Sequence, residues 1–336
     1  MKLLISRSMR KMVNTCVLVL LLAWVPVAAQ SVRYTVSPIN AESVLKEESV
    51  RQTVDFLTRE STGGRAMGTE GSRKVVSYLE DRFHALGLYP VSGAWQHGFT
   101  SGGIFGRNVM GIIPGSSSKY VILMAHFDNL GMLGGTFYPG ADSNASGVAA
   151  LLEVAGMMAH MHLLRRSYSA SLLVVALDGK EKDLSGASAL WRGIAGGKLL
   201  DPVSGKAISA SDISLVVNLD QLGATLAPLT EKQPNYVMML SREATGRRSS
   251  LQSVNKERKI DLELAFDYYG SKDFTRLFYE RVSDQRIFLE HGIPAVMFTS
   301  GITLNNNKPY DNAASLDYPV LLKRIRLIFY YLDKVL

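Results

Sequence analysis

Residues 120–147 read YVILMAHFDNLGMLGGTFYPGADSNASG, and their pattern decides the fold. The run from Tyr120 to Ala125 lacks polar alternation, which predicts a strand buried on both faces of a parallel sheet. Such a strand delivers His126 and Asp128 to its carboxyl end, where open α/β sheets keep their ligands. A glycine-rich loop follows, and GADSNASG then sets Asp142 at the entry of an amphipathic helix with Val148, Leu151, Leu152, Ala155 and Met158 at helical spacing. One imidazole and two carboxylates on one sheet edge suit a borderline cation such as zinc. Acyl transfer fits less well, because no Ser or Cys nucleophile sits at a strand-to-helix elbow nearby.

Upstream, residues 108–113, closed by Pro114-Gly115, predict a strand paired beside the Tyr120 strand. Before it, residues 41–60 and 70–86 read as two amphipathic helices joined by STGGRAMGTEG, a lid or flank for the sheet. Downstream, the apolar run 171–177 ends in DGKEKDLSG, and the run 213–219 ends in Asp220. Strands at 236–240 and 295–299, a polar helix around 251–258 and a closing helix over 319–335 complete the chain. Strands alternating with helices at this spacing predict an α/β fold, a mostly parallel central sheet with helices on both faces in three layers. Asp142, Glu181 and Asp220 then all fall at strand ends. Any one of them reads as a helix cap or a solvated loop carboxylate; crowded beside His126 and Asp128 they would repel, and a cation at the centre is the natural compensation.

The first residues are set apart by composition. Lys2, Arg7, Arg10 and Lys11 precede an apolar core from Val17 to Val25, and Val27-Ala28-Ala29 fits a signal-peptidase site before Gln30. This predicts a signal peptide over 1–29, a single α/β domain over 30–336, and a secreted or periplasmic protein. The apolar core is too short for a stable membrane span. Cys16 is the only cysteine, so the mature chain has neither disulfides nor thiolate ligands, and any metal must be held by His, Asp and Glu. The formal charge of +7 includes the four basic residues of the leader and leaves +3, with no basic tract of the kind that binds nucleic acid.

The ordered motifs HFD, GADSNASGVAALLE, a Glu-containing loop closing in Leu184 and Gly186, NLDQLG, and SDQ with HGIPAVMF resemble secreted zinc metallopeptidases of family twenty-eight. That group includes bacterial leucyl aminopeptidases, glutamate carboxypeptidases and glutaminyl cyclases. GGRAMGTEG and GRNVMGIIPG match upstream pieces of the same pattern, so the resemblance covers nearly the whole mature chain. It implies two zinc ions sharing Asp142, one completed by His126 and Asp220 and the other by Glu181 and a late histidine. It also implies that Asp128 orients His126, and that a glutamate just before the Glu181 position takes a proton from the attacking water.

Three positions depart from the pattern. With Leu184 and Gly186 fixing the register, the general-base position holds Lys180. The late ligand falls in SGITLNNNKPYDNAASLDY, where the lost histidine position holds Asn307, and the SDH motif reads Ser283-Asp284-Gln285. His291 is the only histidine after His162; it is a candidate replacement ligand or a surface cap. An ammonium beside the second site opposes zinc there or takes its place against Glu181 or Asp142. The expectation is at most one zinc, at His126, Asp142 and Asp220. The resulting function is a catalytically impaired relative that keeps a cleft for a peptide or protein ligand. The alternative is an active one-metal zinc aminopeptidase; glutaminyl cyclase activity is weaker, because it resembles the family in using the ion at the damaged position.

Overall fold

The computed structural model of the chain describes residues 36–225, 235–242 and 245–336. The expected signal peptide over 1–29 lies outside them. Eleven strands are present among the described residues. They are β1 (Tyr89–Pro90), β2 (Gln96–Ser101), β3 (Ile104–Ile113), β4 (Tyr120–His126), β5 (Gly131–Leu133), β6 (Thr136–Tyr138), β7 (Ser171–Leu177), β8 (Ile213–Leu219), β9 (Tyr236–Leu240), β10 (Glu263–Ala265) and β11 (Ala295–Thr299). Helices α1 (Glu47–Thr58), α2 (Glu70–Ala85), α3 (Ser146–Leu163), α4 (Ser185–Ala195), α5 (Thr245–Glu257), α6 (Lys272–Leu277), α7 (Gln285–Glu290) and α8 (Tyr318–Val335) alternate with them.

The main sheet runs β1-β3-β7-β4-β8-β11-β9-β10, with β2 paired to β3. Its centre, β7-β4-β8-β11, is parallel, while β3 joins β7 and β9 joins β11 in antiparallel fashion. The expected neighbour relation of the 108–113 strand is therefore corrected: β3 lies against β7, and β7 separates it from β4. A strand buried on both faces carries no sequence mark of which strand it pairs with, and β7 has the same character as β4.

Alternation along β4 divides the core. Val121, Leu123 and Ala125 face the layer of α1, α2, α3 and α8, whereas Ile122 and Met124 face α4 and α7. Helix α3 departs from the amphipathic expectation. Ala149, Ala150, Val154, Met157 and Met161 are buried along with the predicted face, because α1 and α8 cover its outer side. The two N-terminal helices flank the sheet. Thr69 caps α2 by accepting from the Ser72 N–H at 3.1 Å, and α8 opens with Asp317 accepting from Val320 N–H and Pro319 in its first turn. Among the described residues no helix is long and apolar enough to cross a membrane.

Candidate functional site

His126 closes β4 and is fully buried. Its Nδ1 donates to the Asp128 carbonyl O at 3.1 Å and lies 3.7 Å from the Asp128 carboxylate, while Nε2 lies 3.5 Å from Asp220 Oδ1. Asp128 thus orients the ring chiefly through its backbone. Its carboxylate is engaged elsewhere, accepting the N–H groups of Lys180 at 2.9 Å and Glu181 at 3.0 Å. Those bonds hold the loop after β7 against the end of β4. Gly186 lets the same loop close, since a Cβ there would sit 2.0 Å from the Asp178 carbonyl O.

Asp220 follows the last residue of β8 and is braced from the other side. Its Oδ2 accepts from Ser283 Oγ, and Asn218 Nδ2 donates to Ser283 Oγ at 2.9 Å and to Gln285 Oε1 at 2.7 Å. The Ser283-Asp284-Gln285 segment therefore supports Asp220 through a relay of side chains. Asp284 lies inside that support, 1% exposed, with both carboxylate oxygens lacking a hydrogen-bond partner.

Lys180 supplies the central charge. Its Nζ lies 3.8 Å from Glu181 Oε1 and 3.8 Å from Asp220 Oδ2, with 12% of its side chain exposed. Burial works against the ammonium, but Asp220, Glu181, Asp284 and Asp128 outweigh it and raise the pKa above the ordinary lysine value. Burial alone would push the Asp220 carboxyl up; Lys180 and His126, with the Ser283 hydroxyl, hold it well below the carboxylate range. Burial and Lys180 both oppose protonation of His126, yet Asp128 and Asp220 prevail and raise it to about 9. Asp284 is pushed up to about 7 by burial, with His126 and Lys180 moderating the rise.

Asp142, the third residue of the expected trio, is held from the turn after β8. Its Oδ1 accepts from Gly223 N–H at 2.8 Å, Ala224 N–H at 3.0 Å and Ser146 Oγ at 3.1 Å. Three donors tie Oδ1 to that turn and leave Oδ2 buried without a hydrogen-bond partner. Its own N–H and that of Ser143 donate to the two oxygens of Asp311, at 2.7 and 3.0 Å. Burial and then Asp311 push the Asp142 carboxyl up to about 6. His126 and Asp220 do converge, and His126 Nε2, Asp220 Oδ1 and Asp142 Oδ2 are all buried and without hydrogen-bond partners. Among the described residues, however, no three His, Cys, Asp or Glu side chains form a group suited to holding a metal ion. The donor set does not fit the two-zinc centre that the resemblance implies, because an ammonium lies against Glu181 and Asp220 and the late-histidine position holds Asn307.

Glu181, Asn307 and Lys180 do meet, on the wall of a cavity of about 190 Å³ beside the cluster. Tyr268, Phe278, Val282, Met297 and Ile302 make its apolar side. Tyr268 stacks on Phe278 with ring centroids 4.4 Å apart and accepts from Ile302 N–H at 3.0 Å. Asn307 itself is exposed, at φ +57°, while its neighbour Asn306 accepts from Gln221 Nε2 at 2.7 Å. His291 is no replacement ligand. It lies on the surface at the end of α7, where Nδ1 donates to Ile287 O at 2.7 Å and the ring packs 4.2 Å from Trp191.

Two sets of side chains escape sequence reading although the site hangs on them. Asn144 stitches β4 to β8, donating to His126 O at 3.2 Å and Leu219 O at 2.9 Å and accepting from Gln221 N–H at 2.9 Å. Arg65 and Arg324 are fully buried and bind carbonyls in place of carboxylates. Arg65 reaches Phe127 O at 2.7 Å, Leu57 O at 2.8 Å, Gly140 O at 3.0 Å and Pro139 O; Arg324 reaches Leu222 O at 2.6 Å, Tyr236 O at 2.8 Å and Ala224 O at 3.1 Å. Buried polar residues inside GADSNASG and GGRAMGTEG were the available signal; their partners, mostly more than 60 residues away, were not.

A mixed sheet clothed by helices on both faces, with its polar cluster at the carboxyl ends of the parallel strands, defines a three-layer α/β sandwich. The chain belongs to peptidase family M28, whose family model matches residues 108–332. It is 24% identical over 290 residues to the uncharacterized protein YfbL of Escherichia coli K12, a match covering 81% of this chain and 83% of that protein. Among solved structures, the LapA aminopeptidase of Legionella pneumophila superposes with a TM-score of 0.68 at 14% identity, over 89% of this chain and 74% of that one. BSAP, a zinc aminopeptidase from Bacillus subtilis, gives 0.62 at 13% identity over 86% and 95%. Likeness at such identities speaks for the fold.

Proposed function

We propose that this is an exported M28-family protein impaired in hydrolysis, whose cleft binds a peptide or protein ligand. One observation carries the reading: the position that the resemblance gives to the proton acceptor holds the Lys180 amine, kept protonated by the carboxylates around it. A protonated amine cannot take a proton from water, and loss of a general base costs about a hundredfold or more in rate. The cavity beside it supports ligand binding, with apolar walls and a few convergent polar groups. The site has room for at most one zinc ion, at His126, Asp142 and Asp220, each of which carries a buried atom without a hydrogen-bond partner. Expected is anilide cleavage from amino-acid anilides at least about a hundredfold below zinc-aminopeptidase rates, with or without added zinc. Turnover at ordinary enzyme rates would defeat the proposal.

A second reading, a one-metal aminopeptidase, draws on the orphaned atoms His126 Nε2, Asp142 Oδ2 and Asp220 Oδ1. It requires zinc-dependent turnover in the same assay. Export has its own test. N-terminal sequencing of protein recovered outside the cytoplasm is expected to begin at Gln30, and material still carrying Met1 would contradict it.

A further inference from the structure

The cluster at the ends of β4, β7 and β8 is acidic and mostly buried. Asp128, Asp220 and Asp284 are each 4% exposed or less, and Glu181 closes the group on the cavity side. Carboxylates at such burial demand positive charge close by. The cations beside Asp220 and Glu181 are Lys180 and His126, Arg65 acts on Asp128, and the backbone N–H groups on Asp128 bring only dipoles. Lys180 Nζ stands 3.8 Å from each of two carboxylates, too far for a hydrogen bond, so its contribution there is that of a point charge. A metal ion in the same place would also act as a charge shared between carboxylates. Lys180 Nζ cannot remain beside such an ion without strong repulsion.

We infer that Lys180 is a tethered counter-ion that occupies the place of a metal, so that the cleft keeps its shape without metal and excludes divalent ions. The inference deepens the impaired-relative reading and shares with it the assignment of residue 180 to this position. It explains features that the loss of a base alone does not. The 180–181 loop is anchored by its backbone to Asp128, Asp220 is braced by Ser283, and both acceptors remain in place around an amine. A site that had merely decayed would have no reason to hold its carboxylates around a cation.

The test uses the mature protein and its Lys180→Met variant, which keeps side-chain length and removes the charge. Zinc binding is read by equilibrium dialysis with zinc chloride, and stability by thermal melts with EDTA and with zinc. Unaltered protein is expected to show the same Tm in EDTA and in zinc. Lys180→Met is expected to bind zinc at least about a hundredfold more tightly than the unaltered protein and to melt higher with zinc than with EDTA. No gain in zinc affinity on Lys180→Met would overturn the inference, as would a fall in Tm when the unaltered protein meets EDTA. If Lys180→Met does not fold, Lys180→Arg decides: a retained cation is expected to preserve zinc exclusion, and tight zinc binding by that variant would overturn the proposal. Tight zinc binding by an unaltered protein that cleaves nothing would overturn the tethered ion and spare the impaired reading. Anilide cleavage by protein that excludes zinc would do the opposite, supporting the tethered ion and defeating the impaired reading.

Discussion

Arg65→Met is expected to lower stability by at least about 4 kcal/mol, and Tm by roughly 8 °C or more for a chain of this size. Arg65 is fully buried and its guanidinium binds carbonyls on Leu57, Phe127, Pro139 and Gly140. Methionine fills much of the same volume, so the loss is one of hydrogen bonds and charge. Each carbonyl left without a donor in a dry interior costs about 1–3 kcal/mol. Burial already lowers the Arg65 pKa to about 10 against the pull of Asp128 and Asp311, and removing the cation leaves those two carboxylates less balanced. The four carbonyls lie on α1, just after β4, and on the approach to Asp142, so the variant should also loosen His126 and the cavity wall. Lys is a poor rescue, because a point charge cannot serve the fork of acceptors. A Tm within about 2 °C of the unaltered protein would show that the clamp contributes little.

The apolar runs made most of the sheet legible. The runs at 171–177, 213–219, 236–240 and 295–299 have the observed strand limits, because segments buried on both faces leave an uninterrupted mark in sequence. Strand order was not legible, and β7 stands where β3 was expected. The site followed the same division. His126, Asp128, Lys180, Glu181 and Asp220 do come together, since each sits at or just past a strand end and the parallel centre of the sheet aligns those ends. For Asp142 the sequence marks an acidic residue near the cluster, but does not show which donors reach its Oδ1. Here the N–H groups of Gly223 and Ala224 and the Ser146 hydroxyl do. Asn307 reaches the cavity wall, but on an exposed loop. Asp284 gave no signal of its isolation, since burial without partners is a property of the packed chain alone.

Stability is expected to fall as pH rises from 6 to 9, by at least about 4 kcal/mol in total. The sign follows from the direction of each shift. His126 moves from 6.5 up to about 9, so its stabilisation is complete below pH 6.5 and is lost as pH rises through 9. Asp284 moves from 3.8 up to about 7 and Asp142 from 3.8 up to about 6. Both hold a proton in the folded chain that the unfolded chain has already released, so folding is disfavoured progressively until pH passes their folded values. Burial and the neighbouring Asp128 raise Asp178 in the same direction. Asp220 acts oppositely, but its low pKa removes stability only as pH falls below the ordinary carboxylate value. Lys180, raised above 10.5, stays charged throughout the window. Folding therefore takes up roughly one proton or more between pH 6 and 9, and each proton contributes a slope of about 1.4 kcal/mol per pH unit. Chemical denaturation at pH 6, 7, 8 and 9 measures the slope directly. Asp284→Asn should flatten its lower half by removing the carboxyl that titrates near 7, and His126→Gln should flatten the upper half. A stability curve that is level or rising from pH 6 to 9 would mean that the buried carboxyls and His126 are neutralised by charges other than the ones surrounding them here.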